Sequence, residues 1–262
     1  MEKALYIKSI TQLKSHSILR TFNRLYLGSE FCTHFLPDQS SLERCFSICD
    51  KYQLTLSLIL PLYTQEESNF LRATMKQISQ WRTDTEMIIN DLGHLWLLQN
   101  EFPYFPRVWG RVLTKLKADD RLKHVSKKEY QLVSTDQQYT ADFLQENQIR
   151  RIELSNIAQG IQRDAAIAIL PASLYLPYVY LATSHSCLSR ISENLTSNRV
   201  HASSFTAHEC TAPCENFHIR IFPGRLFSGN SIFYTNNRLP LNMETIKINR
   251  IVTEKLVFEE IT

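Results

Sequence analysis

Six cysteines are the residues of this chain whose chemistry is most specific. In a reducing compartment they are thiols rather than disulfides, and serve as core residues, redox groups or metal ligands. Cys45 and Cys49 lie four apart on a stretch patterned as a helix, on the side that carries Leu42, and read as small buried hydrophobes. The other four differ. Cys32 follows a short apolar run that ends at Gly28, and Cys187 follows a second such run that ends near Ala182. Cys210 and Cys214 form a C-x-x-x-C pair stiffened by Pro213. Four thiolates are enough to hold a metal centre. Structural zinc usually takes two close C-x-x-C knuckles, whereas iron–sulfur clusters accept dispersed cysteines, so a cluster ranks ahead of zinc. Unrelated loop thiols are the third reading.

For such distant residues to meet, the fold must gather its loops. The strand-like runs are 24–28, 54–60, 86–90, 107–109, a weak one at 131–134, 149–154 and 173–182. Helical patterns fall between them at 40–52, with Ser41 as a candidate N-cap, and at 65–81 and 140–147. Alternation at this spacing predicts parallel strands joined by crossover helices. Six or seven units in 262 residues predict an α/β fold, a TIM-like (β/α) barrel, either complete or distorted, as a single domain over 1–262. An open doubly wound sheet is the rival. In a barrel the loops after the strands share one face, where Cys32 and Cys187 would both lie. The region 184–216 is polar, rich in Ser, Asn and His, and holds three of the cysteines. Further strand-like runs come after it, including one over 244–252.

The same logic marks other strand ends. Glu153 would face the barrel mouth as an acid or a ligand-binding carboxylate. Arg111, after Gly110, would suit a carboxylate ligand through its planar fork. Asn90 and Asp91 end another strand. For each, an ordinary strand-end or surface residue is the competing reading and ranks ahead. His185 and His208 flank the cysteines, but four thiols already complete a ligand set.

Several function classes lack support. No G-x-G-x-x-G or P-loop follows a strand, and neither G-x-S-x-G nor H-E-x-x-H occurs. A net charge of +3 is mild and does not indicate a nucleic-acid binder, although it leaves an RNA substrate open. No run of apolar residues is long enough to span a membrane, and the N-terminus lacks the pattern of a secretory signal, so a cytoplasmic location is expected.

Two blocks carry a family resemblance. Residues 25–32 (LYLGSEFC), and then 186–190 (SCLSR) with 209–214 (ECTAPC), resemble the opening strand and the cysteine region of the collagenase-like U32 peptidase family. The segments 108–113 (VWGRVL) and 150–154 (RRIEL) agree with it. The resemblance runs over about 24–236 and is closest to the short, one-domain UbiV-type branch. It implies a TIM-like barrel with a 4Fe–4S cluster on Cys32, Cys187, Cys210 and Cys214. It further implies a part in oxygen-independent hydroxylation, as in ubiquinone biosynthesis, on a quinone precursor or similar small-molecule substrate, alongside a paralogous U32-family subunit in a heterodimer. A non-catalytic iron–sulfur subunit and a peptidase are the alternatives. The gap from Cys187 to Cys210 is longer than the family pattern. The histidine–glycine signature before the cysteine block is replaced by Tyr178-Val179-Tyr180.

Overall fold

A computed structural model describes residues 1–13, 15–62, 68–125, 128–184, 218–219 and 224–254. Eight strands close into a barrel: β1 (Glu2–Ile7), β2 (Arg24–Gly28), β3 (Thr55–Ile59), β4 (Glu86–Ile89), β5 (Arg107–Trp109), β6 (Ile149–Ser155), β7 (Ala172–Leu176) and β12 (Ile248–Glu254). Their order around the barrel is β1-β12-β7-β6-β5-β4-β3-β2, and every neighbouring pair is parallel. The TIM-like barrel expected from the alternation is therefore present. Between the strands run α1 (Gln39–Tyr52), α2 (Ser68–Trp81), α3 (Leu92–Asn100), the single turn α4 (Arg111–Thr114) and α5 (Gln138–Glu146). Their apolar faces pack on outward-pointing strand residues such as Leu58, Met87, Ile89, Ile152 and Leu174.

Four details differ from the sequence expectation. The run at 24–28 is the second strand. The first, β1, mixes Glu2 and Lys3 with apolar residues because its even-numbered side chains enter a polar barrel interior. The weak run at 131–134 is not a strand; only Leu132 makes an isolated bridge, to Gln162. The long run at 173–182 is two strands. Pro177 has no N–H to give a ladder, and the chain leaves the barrel there. The next strand, β8 (Tyr178–Thr183), pairs instead with β11 (Ser231–Thr235). β11 pairs in turn with β10 (Leu226–Ser228), and β10 with β9 (His218–Ile219), every pair antiparallel. The N-cap of α1 is Asp38, not Ser41: its carboxylate accepts the Ser41 N–H at 2.8 Å.

The small sheet covers the end of the barrel at which the strands terminate. Phe31, Tyr178, Leu226 and Phe233 form one apolar cluster between the two layers. Two glycines are fixed by close approach. A Cβ on Gly28, which has φ +112°, would stand 2.6 Å from the Ile59 carbonyl oxygen. A Cβ on Gly110 would stand 2.1 Å from Asn90 Oδ1.

Candidate functional site at the barrel mouth

The barrel interior is charged at both ends. At the N-terminal end, Arg24 and Arg250 sit between Glu2 and Glu86: Arg24 pairs with Glu2 at 2.7 Å, and Arg250 with Glu2 at 2.6 Å and with Glu86 at 2.7 Å. Burial works against ionisation of Glu86. The hydrogen bond from Arg250 and the charges of both arginines outweigh it and hold that carboxyl down at about 2. This floor is a fully paired structural network.

At the C-terminal end, Arg111 begins α4 and is buried. Its Nε donates to Glu30 Oε1 at 2.5 Å and its Nη1 to the Tyr178 carbonyl at 3.2 Å, while Nη2 stands 3.7 Å from Glu254 Oε2. The guanidinium lies 4.1 Å from the centre of the Tyr175 ring, and 6.0 Å from those of Phe31 and Phe233. Tyr6 donates to the second oxygen of Glu30 at 2.9 Å. Burial pushes Arg111 toward neutrality, but Glu30 and Glu254 more than restore its charge. Burial raises the Glu254 carboxyl, although Arg111 and Lys8 oppose that. Lys8 donates to Ser228 Oγ at 2.7 Å and so ties the end of β1 to the small sheet.

Glu153 projects inward from β6 and is wholly buried between these two ends. Tyr26 donates to its Oε1 at 3.0 Å. Burial raises the carboxyl to about 7, against the opposing charges of Arg250 and Arg151.

The structure separates the residues singled out in the sequence. Arg111 and Asn90 both reach the mouth end of the barrel, as their strand-end positions imply. Arg111 is engaged by the protein's own carboxylates. Asn90 is buried, with Nδ2 donating to the Leu60 carbonyl at 3.0 Å and Oδ1 against Gly110. Asp91 caps α3 by accepting the His94 N–H at 3.1 Å. Cys32 is half-buried and stands four residues beyond β2, at the head of a turn formed by Thr33–Phe35. Cys45 and Cys49 are buried on α1, and a hydrogen bond between the thiols together with burial raises Cys45. Cys187, Cys210, Cys214, His185 and His208 lie outside the described residues. Among the described residues no group of three or more His, Cys, Asp or Glu side chains is gathered as for a metal.

Sequence reasoning missed Glu30, Glu254, Tyr6 and Tyr175. The available signal was alternation: Glu2, Ala4, Tyr6 and Lys8 at the start of the chain, and Arg250, Val252 and Glu254 in β12, are every second residue.

One residue joins the cysteine-bearing segments. Asn230, in the β10–β11 turn, donates from its side chain to the Phe31 carbonyl at 2.8 Å and to the Ser184 carbonyl at 2.8 Å. Phe31 precedes Cys32, and Ser184 lies three residues before Cys187. His218 pairs with Ser228, Ser228 with Ser231, and Ser231 with Thr183. The chain therefore leaves for the cysteine region after β8 and returns from it into β9 at the same end of the small sheet, on its two opposite edge strands.

No family model matches the chain, and no curated protein matches it. A U32 peptidase of known structure is similar to it at 10% identity and a TM-score of 0.48, over 98% of this chain and 94% of that one. A likeness at this level carries no argument about activity.

Proposed function

We propose that the chain is a U32-type iron–sulfur protein. A 4Fe–4S cluster would be held by Cys32, Cys187, Cys210 and Cys214 beside the barrel mouth, and the protein would serve oxygen-independent hydroxylation of a quinone precursor or similar small molecule, working with a paralogous subunit. The observation that carries this reading is the double hydrogen bond of Asn230, which holds the residue before Cys32 beside Ser184. Cys187 lies three residues beyond Ser184 in the sequence, and Cys214 four residues before His218. Four thiolates are a donor set suited to such a cluster, and Cys32 is half-buried where one would be shielded but reachable. When bound, a cluster with all four irons ligated by protein supplies single-electron transfer rather than an open Lewis-acid site.

A second reading, an accessory subunit without its own chemistry, draws on the mouth itself. Arg111 is engaged by Glu30 and covered by the small sheet, so its charge is already spoken for by the protein.

Anaerobic purification followed by iron and sulfide analysis tests the cluster. About four irons and four sulfides per chain are expected, the stoichiometry of such a centre. Alanine at Cys32, Cys187, Cys210 or Cys214 should strip or weaken it, whereas alanine at Cys45 or Cys49 should leave it loaded. Iron retained by all four single variants, or lost only when the α1 cysteines are changed, would overturn the assignment.

A further inference from the structure

The chain's excess of positive charge is local. Residues 115–130 contain six Lys and Arg against three Asp and Glu, an excess of +3 that equals the net charge of the whole chain. The rest of the sequence therefore balances. This segment follows α4, whose first residue is Arg111 of the mouth. Its span 117–130 leaves and returns at one point. The Gln159 side-chain amide donates to the Lys117 carbonyl at 2.5 Å and to the Tyr130 carbonyl at 3.0 Å. Gln131 Nε2 donates back to the Gln159 carbonyl at 2.6 Å, and Lys117 Nζ stands 5.1 Å from the centre of the Tyr130 ring. A surface excursion of this length with its ends held together is an Ω-loop, a form that often carries function. Gln159 follows β6 by four residues, so the loop stands on the mouth end of the barrel, as Cys32 does. Lys115, Lys117, Arg121 and Lys128 are exposed on it. The hydrogen bond from Arg121 holds the Asp119 carboxyl down at about 2, and the charge of Arg225, just before β10, adds to it. The cationic surface thus continues from the loop onto the small sheet.

We propose that Lys115, Lys117, Arg121, Lys128 and Arg225 form the docking surface for an acidic one-electron carrier protein. The chemistry of the surface selects that partner. Among the described residues of 115–130 no large apolar side chain is exposed, so the loop has nothing to insert into a lipid surface. Its one phenol, Tyr130, is half-buried under Lys117 and offers no platform on which unpaired bases could stack. The carboxylates of Asp119 and Glu129 interrupt the cations, whereas a phosphate backbone is met best by an unbroken basic stripe. A folded acidic surface, itself mixed in charge, complements such a patch and is steered to it. Small polar contacts of this kind also suit electron-transfer encounters, which lie at the low end of interface size. The proposal rests on the iron–sulfur reading above, which requires a source of single electrons. In the encounter one electron leaves the reduced carrier, which is thereby oxidised, and the iron–sulfur centre is reduced by it; no bond forms or breaks.

The test uses the anaerobically purified protein and two probes, an acidic 2Fe–2S ferredoxin and an acidic flavodoxin. Calorimetric titration reads binding whether or not iron is present, and stopped-flow absorbance with the reduced probes reads electron transfer. At least one probe should bind, and should bind more weakly as ionic strength rises from about 0.01 to 0.15 M and the screening length falls from about 30 to 8 Å. The double variant Lys117→Glu/Lys128→Glu should lose roughly tenfold or more in affinity and in transfer rate, the lower range of electrostatic steering. The double variant Lys51→Glu/Lys76→Glu, which reverses exposed charges on α1 and α2, should change neither. Circular dichroism checks that both fold, and the salt dependence of the wild type decides the matter even where one does not. A protein without iron that still binds a probe through the loop would sink the iron–sulfur reading and leave the docking surface standing. Binding by neither probe, equal losses in the two double variants, or tighter binding of a single-stranded RNA or a phosphatidylserine vesicle through the same lysines overturns the docking surface.

Discussion

Glu153 makes the energetics of a single residue testable apart from any function. Its carboxyl ordinarily titrates at 4.5, and burial raises it to about 7 in the folded chain. The unfolded chain therefore ionises first as pH rises. Stability falls between about pH 4.5 and 7 and levels off above, where both states are charged. At 1.36 kcal/mol per pH unit this penalty is at most about 3 kcal/mol. Glu153→Gln keeps an acceptor for Tyr26 and cannot ionise, so its stability relative to wild type should improve on going from pH 5 to pH 8. Urea titrations of both proteins at the two pH values measure this, and a gap that does not change with pH would sink it. Glu86 has the opposite sign. Its carboxyl is lowered to about 2 by the two arginines, so its contribution is present above pH 4.5 and is lost as pH falls toward 2. Replacing it by Gln leaves Arg250 and Arg24 with Glu2 as their one shared carboxylate, and breaking a buried pair of this kind costs up to about 3–5 kcal/mol. A Glu86→Gln protein with wild-type stability at pH 7 would contradict that account. Strand position made Glu153 and Arg111 visible in the sequence. That Glu30 and Glu254 meet Arg111 was not visible, because the two come from opposite ends of the chain, and alternation marks which side chains of a strand share a face, not which groups meet.

At the scale of elements, the parts that were legible are those governed by local rules. Strands β3 and β4 are short, largely apolar runs of the right length, β6 alternates Ile152 and Leu154 with Arg151 and Glu153, and α1 and α2 repeat apolar residues at turn spacing. The parts that were not legible depend on what the element meets. Strand β1 reads as a mixed segment because one of its faces enters a polar interior. Chain exit at Pro177 is set by β11, far onward in the sequence, which offers β8 a ladder outside the barrel. Helix α1 shows how narrow the margin is between candidate caps. Both Asp38 and Ser41 are competent N-cap residues, and Asp38 fills the role because its carboxylate reaches the Ser41 N–H. Asp38→Ala should cost about 1 kcal/mol, the typical worth of an N-cap, whereas Ser41→Ala should cost far less because its hydroxyl caps nothing. Chemical denaturation of the two single variants separates them; equal losses would return the cap to Ser41.

The whole molecule depends on its last described strand. β12 lies between β1 and β7, so the barrel closes only when residues 248–254 return to the beginning of the chain. The same strand brings Arg250 to the floor, where it meets Glu2 and Glu86, and Glu254 to the mouth, beside Arg111. Closure and the placement of charge at both ends are thus one event. Removal of everything after Lys247 would leave two edges, β1 and β7, each with a row of unpaired backbone groups of the kind that templates aggregation. It would also leave Glu2 and Glu86 without Arg250. We expect such a truncation to lose cooperative thermal unfolding and to aggregate, whereas a chain ending just after Glu254 should unfold cooperatively, since it keeps all eight strands. Calorimetry and light scattering on the two truncations distinguish them. Cooperative unfolding by the shorter chain would mean that the other seven strands form a stable open sheet. The doubly wound alternative, which alternation alone allowed, would then describe this chain better than a barrel that needs its final strand.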